Sequence, residues 1–120
     1  MKTISPAELH ALRSTGRGLT ILDVRTQPEY AETRVPATRN IPLNSLDAQR
    51  LDGLSPEEPV YLLCRSGVRA NLAAQKLTAA GFQQPVVVQG GTVEWTRSGL
   101  PVERDSRPLL ARFLTFARLR

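Results

Sequence analysis

The sequence has one cysteine and one histidine in 120 residues. A single thiol forms no internal disulfide, and Cys64 with His10 cannot complete a zinc site. Aromatic residues make up only 5% and do not interleave with the arginines as a single-strand stacking platform requires. No apolar run approaches the roughly 18–20 residues of a membrane helix. The opening Met1-Lys2-Thr3-Ile4-Ser5-Pro6 lacks the apolar stretch of a secretion signal, so the chain is expected to start in the cytoplasm. Acidic residues are absent after Asp105, and that absence accounts for most of the net charge of +5. Residues 104–120 hold five arginines against Asp105, whereas residues 1–103 carry eleven bases and ten acids. The positive charge lies in the tail, so a domain-wide footprint for DNA or RNA is excluded.

Hydrophobic residues are 41% and charged residues 22%, a globular composition long enough for one core. The expected organisation is a compact domain over 1–103 and a basic amphipathic tail over 104–120, with the boundary near Pro101–Pro108.

Ser5-Pro6-Ala7-Glu8 is a helix start with a capping box, followed by Leu9 and Leu12 on an apolar side and ended by Gly16 and Gly18. Leu19 to Val24 is a short buried strand. Pro28 to Ala31 suggests a brief helix, Ile41-Pro42 closes an extended piece, and Ser45 to Leu51 is expected to be another helix. Pro59 to Cys64 is a buried strand. A helix follows over Val68 to Ala80, with Leu72, Ala73, Lys76, Leu77 and Ala80 on one side and Gly81 as its C-cap. Pro85 to Gln89 is a third buried strand, broken by Gly90-Gly91 before a short helix that holds Trp95. Apolar strands alternating with helices predict an α/β fold with a central, mostly parallel sheet and helices on both faces.

One place carries chemistry. Cys64 ends a predicted strand, and Arg65-Ser66-Gly67-Val68-Arg69 runs into a predicted helix. Ligands bind at the carboxyl ends of strands in such sheets. A loop entering a helix aims successive N–H groups at one spot, where the helix dipole and the two arginines favour an anion. A thiol there is expected to be a thiolate nucleophile. A lone cysteine is ordinarily a small buried hydrophobe, and it is the strand–Cys–x–x–Gly–x–Arg–helix placement that favours reactivity. Arg69 has two readings, donor binding or bracing the loop against Asp23 or Glu29. Asp23 and Arg25 are read as supporting residues, an ion pair at the sheet end. His10 is read as a surface or helix-face residue and Trp95 as core packing.

Cys64-Arg65-Ser66-Gly67-Val68-Arg69 resembles the active-site loop of rhodanese domains, the thiosulfate sulfurtransferases. Leu22-Asp23-Val24-Arg25 through Glu29-Tyr30, then Asn40-Ile41-Pro42, and Gly90-Gly91 through Trp95 to Val102 resemble further family motifs in order and spacing. The resemblance covers about residues 3–103. One segment departs: the family often has Gly-His-Ile-Pro-Gly-Ala where this chain has Thr33-Arg34-Val35-Pro36-Ala37-Thr38.

The resemblance implies sulfur transfer through a Cys64 persulfide, without a cofactor or metal. The donor is a small anion such as thiosulfate, and the acceptor is cyanide, a thiol or a protein. Arg65 and Arg69 would bind the donor, and the amides of the loop over Ser66, Gly67 and Val68 would stabilise the persulfide. An alternative is a sulfur-carrier or regulatory module acting through a partner protein. Cysteine phosphatase or arsenate reductase chemistry is disfavoured, because those loops place the arginine six positions after the cysteine and position 70 here is Ala. In the tail, the spacing of Leu109, Leu110, Phe113, Leu114 and Ala117 predicts one apolar face of a helix. It either packs on a protein surface or contacts the inner face of a membrane, as in a soluble fragment of a membrane-anchored bacterial rhodanese.

Overall fold

The Ser5 hydroxyl accepts the Glu8 N–H, and the Glu8 carboxylate accepts the Ser5 N–H. This capping box starts helix α1 (Pro6–Arg13) directly after strand β1 (Lys2–Ile4). Thr26 and Glu29 repeat the device at α2 (Gln27–Glu32), after β2 (Thr20–Asp23). The computed structural model describes residues 2–105. Short strands β3 (Thr33–Arg34) and β4 (Arg39–Asn40) follow, then a 3-10 turn at Leu43–Ser45. The second half comprises β5 (Val60–Leu63), α3 (Val68–Ala79), β6 (Pro85–Val88), α4 (Gly91–Arg97) and β7 (Glu103–Arg104).

Five strands form one parallel sheet in the order β1-β6-β5-β2-β4. Side chains alternate across a strand, and the two cores follow from that period. Val60, Leu62 and Cys64 pack with Ala70, Ala73, Ala74 and Leu77 of α3. Tyr61 and Leu63 point the other way, into a core with Leu9 of α1 and Trp95 of α4. Helices therefore cover both faces, as the strand pattern predicts. The strands β3 and β7 make a separate antiparallel pair.

The structure corrects two expectations. Residues 45–51 form no α-helix. Leu46 and Leu51 are both buried, and on a helix residues five apart point about 140° from each other. Turns seat both instead: Asp47 Oδ1 accepts the Arg50 N–H at 2.9 Å, and Gly53 reverses the chain at φ +88°. The buried stripe of α3 is Ala70, Ala73, Ala74 and Leu77, while Leu72 is 46% exposed and Lys76 and Ala80 face solvent. Alanines let the helix approach the sheet closely, so the inner face is the small one rather than the one holding more bulk. Strand β1 and the β3–β7 pair have no counterpart in the sequence reading, being too short to carry a pattern. The expected tail helix lies outside the described residues.

Candidate active site

Cys64 follows β5 at the carboxyl edge of the sheet and is 1% exposed. Its Sγ accepts the Gly67 N–H at 2.9 Å. Gly67 sits at φ +115°, a left-handed conformation that side chains disfavour, and is the N-cap of α3. A Cβ there would meet nothing within 4 Å, so conformation rather than space calls for glycine. The Gly67 carbonyl accepts the Asn71 side-chain amide at 2.9 Å, which fixes the turn where loop becomes helix.

A second helix start holds the other side of the loop. At the head of α4, the Thr92 N–H donates to the Cys64 carbonyl at 2.9 Å and the Val93 N–H to the Arg65 carbonyl at 3.1 Å. Gly91 permits this approach. A Cβ at Gly91 would lie 2.2 Å from the Cys64 carbonyl oxygen, a distance no real contact tolerates.

The flanking charges are paired. Arg69 makes a two-pronged ion pair with Glu29, at 2.7 and 3.0 Å. The Arg69 guanidinium holds the Glu29 carboxyl at about 2, well below its ordinary 4.5, aided by Thr26 and against some burial. Arg69 is in turn raised, chiefly by its bond to Glu29. Of the two readings of Arg69, the geometry displays the brace to Glu29.

Asp23 and Arg25 are buried together, with Arg25 Nη2 2.9 Å from Asp23 Oδ2 and 2.7 Å from the Thr33 carbonyl. Asn40 donates its side-chain amide to the Asp23 and Arg25 carbonyls, both at 3.0 Å. This ties the ends of β2 and β4 beneath the site. Arg65, Ser66 and Val68 are exposed around the loop. Sequence reasoning did not assign Asn40 or Gly91 to the site. For Glu29 a signal existed, since Thr26-Gln27-Pro28-Glu29 is itself a capping box that fixes the carboxylate.

His10 is edge-on to the Trp95 ring at 5.8 Å, and Trp95 is fully buried with its Nε1 on the Pro101 carbonyl. Among the described residues no group of three or more His, Cys, Asp and Glu is placed to hold a metal ion, and no helix is long and apolar enough to cross a membrane.

A family model described as Rhodanese-like domain matches residues 5–98. The chain is 36% identical over 86 residues to the thiosulfate sulfurtransferase GlpE of Actinobacillus pleuropneumoniae, covering 72% of this chain and 79% of that one. It is 35% identical over 78 residues to the putative sulfur carrier protein YrkF of Bacillus subtilis, covering 65% and 42%. It spans less than half the length of the first curated relatives it matches. A solved rhodanese-like domain protein of Staphylococcus aureus superposes with a TM-score of 0.77 at 31% identity, over 88% of this chain and 100% of that one.

Proposed function

Since the chain belongs to the rhodanese-like domain family, we propose that it is a sulfurtransferase that carries sulfane sulfur on Cys64. The Cys64 thiolate attacks the outer sulfur of a donor such as thiosulfate. A bond forms between Sγ and that sulfur, the sulfur–sulfur bond of the donor breaks, and its electron pair leaves with sulfite. The acceptor then attacks the outer sulfur of the persulfide and returns the electron pair to Sγ. Each half is a nucleophilic displacement at sulfur, so one site serves donor and acceptor in turn.

The observation that carries this reading is the Gly67 N–H on Cys64 Sγ, at the point where α3 begins. A backbone donor fixed before the reaction stabilises negative charge on sulfur without reorganisation. Arg65, exposed beside Cys64, is the cation open to an anionic donor. Arg69 fixes the helix end through Glu29, and with both its Nη atoms on that carboxylate it does not offer the free fork that a phosphoryl group requires. This favours sulfur transfer over phosphate hydrolysis.

Intact mass after thiosulfate treatment tests the proposal. The expected result is a gain of one sulfur on the wild type and none on Cys64→Ser, reversed by cyanide. A folded wild type that gains no sulfur overturns it. Comparing discharge by cyanide with discharge by protein thiols separates an enzyme acting on small acceptors from a carrier acting through a partner.

A further inference from the structure

A groove of about 510 Å³ adjoins the Cys64 loop, walled by α4 on one side and by the corner between α2 and β3 on the other. The α4 wall is attached to the loop itself, through the Thr92 and Val93 N–H groups on the Cys64 and Arg65 carbonyls. Most charges lining the groove are already neutralised. Arg25 is held by Asp23, Glu29 by Arg69, and Arg34 by Glu103. Two remain without a side-chain partner among the described residues: Arg65, next to Cys64, and Glu32. The hydroxyls of Thr92 and Thr96 also line the groove and make no side-chain hydrogen bond among the described residues. Val93, 43% exposed, adds an apolar surface between them.

A groove with one free cation, one free anion, open hydroxyls and an apolar patch fits a ligand that carries both charges on a short frame. Resting on the sulfur-transfer reading, we propose that this groove is the acceptor subsite and takes a small zwitterionic thiol of amino-acid or short-peptide size. Its carboxylate sits on Arg65 and its ammonium on Glu32. The volume of about 510 Å³ suits a ligand of amino-acid or short-peptide size. In the step that follows, the bound thiolate forms a bond to the outer sulfur of the Cys64 persulfide. The bond from that sulfur to Sγ breaks, and its electron pair returns to Sγ. The products are the ligand persulfide and the Cys64 thiolate, so no oxidant or reductant is consumed.

The test uses the full chain loaded with thiosulfate, freed of excess donor and checked by intact mass. Single-turnover discharge is then timed with 2-mercaptoethanol, cysteamine, 3-mercaptopropionate and cysteine, with rate constants expressed per thiolate. Cysteine is expected to be the fastest. The advantage of 3-mercaptopropionate over 2-mercaptoethanol should be about ten- to a hundredfold, the effect of one charge-assisted bond. Arg65→Gln should remove most of that advantage, and Glu32→Gln should lower the ratio of cysteine to 3-mercaptopropionate. Should Arg65→Gln fail to load, Thr96→Trp, which fills the groove, should slow cysteine relative to cyanide. Ratios that are the same in wild type and variants overturn the groove as acceptor subsite while the mass gain leaves the role of Cys64 standing. A protein that gains no sulfur overturns both.

Discussion

Replacing the Cys64 sulfur with oxygen keeps an acceptor for the Gly67 N–H but removes the atom that forms a persulfide. Cys64→Ser is therefore expected to abolish thiocyanate formation from thiosulfate and cyanide while leaving thermal stability nearly unchanged. Comparable turnover by the serine variant would exclude Cys64 as the nucleophile. Gly91 makes a contrasting case, since it touches no substrate. The added Cβ of Gly91→Ala must displace the Cys64 carbonyl, which would otherwise lie 2.2 Å away. Both kcat and the melting temperature should fall, whereas an effect on neither would show that the loop adjusts freely. The Glu29–Arg69 pair is open to a pH experiment. Because the folded-state value of Glu29 lies near 2 rather than 4.5, its contribution is complete above the unfolded value and is lost as pH falls towards 2. Both side chains are about one-third exposed, so the contribution is held to about 1 kcal/mol or less. Denaturant titrations of wild type and Glu29→Gln should differ by a constant amount near pH 7 and converge below about pH 4.5. A gap that widens in acid would contradict the assignment.

At the scale of elements, α3 is defined by its small inner face. Leu77 is fully buried and Leu72 is 46% exposed. Leu77→Ala should cost about 2–5 kcal/mol, and Leu72→Ala about 0.5 kcal/mol or less. Equal losses in equilibrium unfolding would mean that the helix is rotated from the position described. The connection from β3 to β4 holds a strained residue. Ala37 adopts φ +58°, in the segment where the family often carries glycine. A left-handed alanine costs about 1–2 kcal/mol, partly offset in Ala37→Gly by the greater freedom of glycine when unfolded. That substitution should raise stability by about 0.5–1 kcal/mol, a few degrees in melting temperature. An unchanged or lower melting temperature would place the backbone elsewhere. The 45–51 segment shows the limit of local pattern. A helix there would set Leu46 and Leu51 on different sides, but both enter one core, and turns bring them to the same side.

For the whole molecule, the Asp105 N–H on the Glu32 carbonyl closes the β3–β7 pair against α2. Every residue placed in the site precedes it. A chain ending at Asp105 should therefore retain thiosulfate activity, measured with cyanide as acceptor, and a collapse of activity would make the tail part of the working domain. The sequence by itself determined the strand–loop–helix around Cys64, the buried strands and the capping box at Ser5 and Glu8. These depend on neighbours within a few positions, through apolar period, glycine and cap chemistry. It also showed Asp23 and Arg25 as a pair, because they are two residues apart at the end of one strand. Only the tertiary structure decided that Arg69 meets Glu29 forty positions earlier, and that Gly91 must be bare because α4 starts against the Cys64 carbonyl. It likewise decided that Asn40 ties β4 to β2, and that Arg65 and Glu32 share one groove. Such contacts are set by strand order and helix placement, and those are fixed when the two cores close around the sheet, not by the spacing of residues along the chain.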